Sequence, residues 1–259
     1  MCEAKIMRII VSGINGHMGK EVVSASLRGY RGAVTVGGVD IRSDRDAEIP
    51  VAGGFAEAKE IFGVGCADCI IDFSHHSCTA EFLSFAVAKG MPAVLATTGQ
   101  TEEELALIAD AAKKIPVFFS ANMSLGVALL VELAKKAAAA MPDAQIEIIE
   151  KHHIRKLDAP SGTAIMLANE IQSVRPSAYT VLGRSGHGKR TPEEIGIHAI
   201  RMGNIVGEHE VILGTDTQTI TLKHEAHDRA LFAEGALAAA EFLIGKGAGL
   251  YNMHDIVAD

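Results

Sequence analysis

The chain contains no tryptophan, and only 5% of its residues are aromatic. A sandwich or barrel core built on stacked rings is therefore poorly supplied, and aliphatic side chains must do the packing. Four cysteines, at positions 2, 66, 69 and 78, are too few and too clustered for a disulfide framework in 259 residues. A reducing cytoplasmic location is expected. Apolar runs of the roughly 18–20 residues that span a bilayer are missing, and Met1 to Arg8 offers no secretory n-region, h-region and cleavage site in succession. Positive charge is also short. Twenty-four Lys and Arg face 32 Asp and Glu, so 24 − 32 = −8, which argues against nucleic acid and anionic membranes as partners.

What is plentiful is glycine, 26 residues, and a 48% hydrophobic content with 22% charged residues. That composition supports a globular chain with many tight turns. From residue 7 to 120, β-branched runs alternate with helical stretches: strands at 7–12, 33–40, 68–73, 92–96 and 116–120, helices at 20–28, 77–89 and 101–114. This grammar predicts an α/β fold, a Rossmann-type doubly wound parallel sheet. Beyond residue 122 it changes. A long Ala/Leu helix at 126–140, a strand at 144–151, a helix opening near Ser161 and three strand-like runs at 195–202, 207–214 and 217–225 read as α+β. The short connections between those three runs suggest antiparallel pairing among them. The stretch 183–192, rich in Gly, Ser and charge, reads as a mobile loop, and an Ala-rich helix at 230–245 is apolar enough to dock on a core.

The pair Cys66-x-x-Cys69 has zinc or redox spacing, but Cys69 falls inside the apolar run ADCIIDF with no second pair downstream. Core packing is the expected role. No metal site is expected.

The first strand runs into Gly13-Ile14-Asn15-Gly16-His17-Met18-Gly19, a G-x-x-G-x-x-G loop before a helix. Such a loop permits a tight turn, close approach of backbone to a pyrophosphate, and contact between helix and strand. Glycines alone would fit an unrelated turn equally well. Asp40, ending the second strand 40 − 19 = 21 residues beyond Gly19, stands where a carboxylate accepts hydrogen bonds from an adenosine ribose. Arg42 is either a partner for the 2′-phosphate of NADP or a solvated charge. NADH, NADPH or both are the expected cofactors, with NADH at least as good. Two further loops end predicted strands: Ala96-Thr97-Thr98-Gly99 and Ser120-Ala121-Asn122-Met123-Ser124. They suit a nicotinamide ribose and ring, although capping by Thr97, Thr98 or Thr101 explains the first as well.

The densest chemistry lies in residues 150–163, EKHHIRKLDAPSGT. Between Lys151 and Lys156 stand three permanent cations and the pair His152-His153, a local positive field in an acidic protein. Pro160-Ser161-Gly162-Thr163 then opens a helix whose N–H groups can bind a carboxylate. The competing reading is a solvated basic loop before an ordinary capped helix. His209, His224 and His227 have weaker claims and read as structural or exposed.

At this point the chain resembles the dihydrodipicolinate (4-hydroxy-tetrahydrodipicolinate) reductase family of lysine and diaminopimelate biosynthesis. The resemblance rests on GINGHMG, ATTG, SANMSLGV, EKHHIRKLDAPSGTA and RMGNIVGEHEV in this order, over essentially the whole chain. Ala96 stands where a glycine is common and Met123 where an aromatic is common. The resemblance implies His152 as acid/base, Lys156 as proton donor and substrate contact, and His153, Gly162 and Thr163 as ligands of a small dicarboxylate, with Ser161 opening the same anion-binding turn. It further implies a dinucleotide domain, 1–122 with 234–259, a substrate and oligomerisation domain with a mixed sheet, 123–233, and a homotetramer. Cofactor and substrate sites on different domains must come together, so hinge closure on ligand binding is expected. Two other functions share parts of this pattern. An amino-acid or imino-acid dehydrogenase would not need HHxxK followed by PSGT, and a nucleotide-sensing protein would not need the acid/base groups.

Overall fold

The computed structural model describes residues 6–258; Cys2 and the other residues outside that range are not described. The chain divides into two compact units, one running to Ser124 and resuming at Ala230, the other Leu125–Arg229.

The first unit is a seven-stranded sheet. In chain order its strands are β1 (Met7–Ser12), β2 (Ala33–Val39), β3 (Val51–Ala52), β4 (Cys69–Asp72), β5 (Ala93–Leu95), β6 (Pro116–Phe119) and, from the end of the chain, Gly249–Tyr251. The spatial order places that last strand beside β6, then β5, β4, β1, β2 and β3, with every pairing parallel. Strand order therefore reverses between β1 and β4, the place where open α/β sheets bind ligands. Helices α1 (His17–Leu27), α2 (Phe55–Ile61), α3 (Thr79–Lys89) and α4 (Glu102–Ala112) connect these strands. Strand periodicity supplies both faces with aliphatic side chains. Ile10, Ile70, Leu95 and Val117 join the core under α2, α3 and α4. Phe118 alternates to the other side, where its ring meets Phe242 edge-on at 6.3 Å.

Three elements here escape the sequence pattern. β3, α2 and the terminal strand are two, seven and three residues long, too short for periodicity to show. α1 also begins earlier than its apolar pattern suggests, at His17, because the extended Gly16 serves as N-cap and Gly19 lies inside the first turn.

The second unit contains α5 (Leu125–Ala140), β7 (Gln145–His152), α6 (Gly162–Val174), β8 (Tyr179–Leu182), β9 (Glu194–Arg201), β10 (Gly207–Gly214) and β11 (Thr219–Ala226). Its sheet has the order β11-β10-β7-β9-β8. The expected antiparallel pairing holds for β10 with β11 but not for β9 with β10. β7 lies between those two, parallel to β9 and antiparallel to β10. Alternate apolar side chains of β7, β9 and β10 make a core with α5 and α6 in which Ile146, Ile148, Ile197 and Val211 are buried.

The 183–192 segment is tied at both ends. Arg184 bonds the Glu194 carboxylate, and Arg190 reaches Glu147 at 3.0 Å and the Ile146 carbonyl at 2.7 Å. The first unit resumes with α7 (Ala230–Leu243), which packs on α1, β4, β5 and β6, and ends with α8 (Met253–Ala258). Among the described residues no helix is long and apolar enough to cross a membrane.

Candidate active site

In the first unit a cavity of about 520 Å³ opens at the reversal of strand order, lined by Ser12, Gly13, Gly16, Asp40, Arg42 and Phe73 among others. Gly13 has φ +76°, and a Cβ there would stand 2.8 Å from the Phe73 carbonyl oxygen. A side chain at Gly19 would lie 2.1 Å from the Gly13 carbonyl oxygen. The loop is thus folded so tightly on strand and helix that only hydrogen fits at both positions. Asp40 follows β2 directly. Its Oδ2 accepts from Asn15 N at 3.0 Å and its Oδ1 from Arg42 N at 3.1 Å. Each oxygen keeps a second lone pair, so a dinucleotide's ribose hydroxyls have acceptors available. The exposed Arg42 donates from Nη2 to the Asn15 carbonyl at 2.8 Å, and Asn15 Nδ2 returns a bond to the Arg42 carbonyl at 2.9 Å.

The threonine and serine loops sit after β5 and β6, at the carboxyl edge of the same sheet. Capping falls to Thr101, which forms a reciprocal box with Glu104 at the start of α4. Thr97 is buried and accepts from Gln100 Nε2 at 2.8 Å, whereas Thr98 is exposed. In the second loop Ser120 Oγ donates to the Asn122 carbonyl at 2.9 Å and Asn122 Oδ1 accepts from Ser124 N at 2.8 Å, with Met123 buried beneath. Ala96 continues the sheet ladder by donating its N–H to the Asp72 carbonyl at 3.0 Å. Sequence reading missed further residues that line the cavity: Gly53, Gly54, Phe55, Ser74, His75, Cys78 and Glu81. Ligands gather at the carboxyl ends of strands, and Asp72-Phe73 at the end of β4 is such a place, which points to Ser74 and His75. Cys69 is buried in β4 and Cys66 half-buried, and burial pushes both thiols' pKa upward, away from the reactive thiolate.

The second cluster grows out of the pleat of β7. Alternate residues of this strand face α5 and α6, and the buried series runs Ile146, Ile148, Glu150, His152. Two apolar positions are thus followed, on one face, by a carboxylate and an imidazole. Glu150 is fully buried and accepts from four donors: Arg201 Nη2 at 2.7 Å and Ser161 N at 3.0 Å on Oε1, Arg201 Nη1 at 2.8 Å and His152 Nδ1 at 2.6 Å on Oε2. Burial works against its charge, yet the bonds from Arg201, His152 and Ser161 outweigh it and hold the carboxyl below the usual carboxylate range. Burial likewise lowers the pKa of His152, and the attraction of Glu150 recovers only part of that.

Ser161 caps α6, its Oγ accepting from Ala164 N at 3.2 Å and meeting His209 Nε2 at 3.0 Å. Sequence alone gives His209 only a structural or exposed role, yet its ring lies edge-on to His152 at 5.2 Å and burial depresses its pKa to about 4. Gly162 and Thr163 form the first turn of α6, where a helix offers backbone N–H and the positive end of its dipole. Lys156 Nζ pairs with Asp158 Oδ1 at 2.9 Å, and His153 Nδ1 is a buried atom with no hydrogen-bond partner among the described residues.

The expected cationic island is smaller than the count of charges suggested. Lys151 alternates to the opposite face of β7 and pairs there with Glu208 at 3.0 Å and Glu210 at 3.6 Å. Arg155 donates to Asn204 Oδ1 at 2.6 Å. Arg201, outside the island in sequence, enters it through the parallel register that sets it beside His152.

Comparison with known proteins matches residues 7–123 to the dihydrodipicolinate reductase N-terminal family and 126–257 to its C-terminal family. The chain belongs to the dihydrodipicolinate reductase family. A 4-hydroxy-tetrahydrodipicolinate reductase of Caldanaerobacter subterraneus subsp. tengcongensis is 45% identical over 97% of this chain and 98% of its own. One of Clostridium novyi is 42% identical over 96% and 98%. Among solved structures, a dipicolinate-bound dihydrodipicolinate reductase from Paenisporosarcina sp. TG-14 superposes with a TM-score of 0.80 at 26% identity, covering 97% of this chain and 100% of that one. Membership in the dihydrodipicolinate reductase family makes the chain an NAD(P)H-dependent oxidoreductase of lysine and diaminopimelate biosynthesis.

Proposed function

We propose that the chain reduces 4-hydroxy-tetrahydrodipicolinate, by way of dihydrodipicolinate, to tetrahydrodipicolinate, with His152 as general acid/base. The observation that carries this reading is a histidine held by a saturated buried carboxylate beside the start of α6, with Lys156 close enough to act on its charge. The solved relative with dipicolinate, a planar dicarboxylate of the same skeleton, supports it. Loss of the 4-hydroxyl as water leaves a conjugated cyclic imine. The reduced nicotinamide, when bound, supplies the hydride that adds at ring C4. Electrons move toward the imine nitrogen, and the enamine so formed takes a proton on carbon. His152 holds that proton, Lys156 favours the substrate's anionic form and serves as a second donor, and His153 with Ser161, Gly162 and Thr163 binds the carboxylates.

Incubation with NADH, pyruvate, aspartate semialdehyde and the preceding synthase is expected to give synthase-dependent loss of nicotinamide absorbance. No such loss would remove the assignment.

Asp40 carries the cofactor preference. Its carboxylate accepts from ribose hydroxyls and repels a 2′-phosphate, while Arg42, exposed and bonded to Asn15, is the group available to a phosphate. NADH is therefore used at least as well as NADPH. Asp40→Ala is expected to raise KM for NADH by about 10-fold or more, since a hydrogen bond to a charged acceptor is worth roughly 1.5–3 kcal/mol, and to spare NADPH. A native enzyme that strongly prefers NADPH would contradict this. The glycine loop Gly13 to Gly19 and the 96–98 and 120–123 loops complete the proposed cofactor site.

The proposal extends to a cytoplasmic homotetramer assembled through the sheet of the second unit, whose edge strand β11 leaves Thr219, Ile220, Thr221, Lys223 and Glu225 exposed. Light scattering on the eluted protein measures the mass.

A further inference from the structure

The carboxylate of Glu150 has four lone-pair positions, and four donors occupy them. Arg201 and a backbone amide can only donate, and a carboxylate can only accept. His152 Nδ1 must therefore carry a hydrogen in the neutral ring, which leaves Nε2 as the atom that gains and loses the proton. Free imidazole has no such constraint. Position 207 is glycine, and a Cβ there would stand 3.1 Å from Nε2. The charged and titratable groups acting on the ring are Glu150 on its own strand, Arg201 on β9, His209 on β10 and Lys156 in the following loop.

The same carboxylate also fixes Ser161. Oε1 accepts the amide at which the backbone enters α6, while the Ser161 side chain caps that helix and touches His209. Arg201 adds a bond from Nη2 to the Asp158 carbonyl at 2.6 Å, which ties the chain between His152 and the helix to the same pair. A proton-carrying ring and an anion-binding turn, nine residues apart in sequence (161 − 152 = 9), are thus braced by one buried ion pair.

We infer that Glu150, held by Arg201, is a positioning residue that selects the Nδ1–H form of His152 and sets the first turn of α6 with the same carboxylate. The inference rests on the proposed role of His152. Low-dielectric surroundings make such a saturated network rigid, and they make each lost acceptor costly.

Nitrogen-15 spectra of the full-length enzyme labelled at histidine, with the His152 signals assigned by their loss in His152→Gln, report the neutral tautomer directly. The expected result in the native enzyme is Nδ1–H with a bare Nε2. An Nε2–H form overturns the inference, and this readout needs no variant at Glu150.

Glu150→Gln offers one acceptor oxygen to four donors. It is expected to shift His152 toward Nε2–H, move the alkaline fall of kcat/KM to lower pH because the attraction that raises the His152 pKa is lost, and lower kcat about 10-fold or more, a part of the roughly 10²–10⁴ that general acid–base catalysis supplies. KM for the dicarboxylate should rise with it, since the α6 turn loses its anchor. Glu150→Asp, which restores the charge, should return the pH limb toward its native position. Native kcat and pH limb in a folded Glu150→Gln enzyme would overturn the inference. If His152→Gln keeps native turnover, the acid role itself fails, whereas the tautomer still decides whether Glu150 positions the ring.

Discussion

Replacing His152 with glutamine is expected to lower kcat by about 10²-fold or more, the usual share of general acid–base catalysis, and to flatten the pH dependence of what remains. Glutamine keeps a hydrogen-bonding side chain against Glu150 but has no proton to give near neutrality. Burial lowers the His152 pKa in the free protein, so kcat/KM, which reports free enzyme, should fall as pH rises through that lowered value. A bound dicarboxylate adds negative charge near the ring and favours the imidazolium. The corresponding fall in kcat should therefore lie at higher pH than the fall in kcat/KM. Lys156→Ala should behave differently, raising KM for the dicarboxylate as well as slowing turnover, because binding and transition-state stabilisation are lost together. Unchanged kcat in His152→Gln would take the residue out of the mechanism. A change confined to NADH affinity in Lys156→Ala would place that residue in the wrong site.

How much of this is written in the sequence varies with the distance over which each feature is determined. Alternating strands and helices specify the parallel sheet of the first unit, because each element is long enough to show its period and β1 feeds directly into the glycine loop. The order of strands in the second unit is a different matter. β7 joins β9 and β10 by pairing with both, and nothing local to those strands says that a third will come between them. The charge cluster at 151–156 shows the same limit. Adjacent in sequence, Lys151 and His152 belong to one charge cluster, but the two-residue period of β7 separates them to opposite faces. That period, extended backward from His152, does lead to Glu150 on the same face. Arg201 is beyond its reach, since only the parallel register of β9 brings the guanidinium there. His209 arrives by the antiparallel register of β10, in which it is the partner of Glu150.

Gly235→Ala is expected to destabilise the first unit, although the same change in a helix interior ordinarily stabilises by about 0.5–1 kcal/mol. The residue lies inside α7, where the surrounding sequence is rich in alanine and a further one looks harmless. Its backbone, however, packs against the loop after β6. A Cβ at 235 would stand 1.6 Å from the Met123 carbonyl oxygen and 2.8 Å from its carbon. Backbone cannot rotate out of the way as a side chain can, so either α7 or the Ser120–Ser124 loop must move. Overpacking of this kind costs about 1–3 kcal/mol, which exceeds the propensity gain and leaves a net loss. At roughly 2–4 °C per kcal/mol for a unit of this size, the fall in Tm is measurable by calorimetry. Displacement of the 120–124 loop should also weaken NADH binding in a direct titration, because that loop belongs to the proposed nicotinamide end of the site. Gly196→Ala is the informative control. Its Cβ would come 1.7 Å from Glu147 Oε2, yet that atom ends a flexible side chain, which can swing aside at the expense of its bonds to Arg190 and His198. The loss should be smaller there and NADH binding unaffected. A Gly235→Ala enzyme as stable as the native one, with native NADH affinity, would mean that α7 does not set the position of this loop.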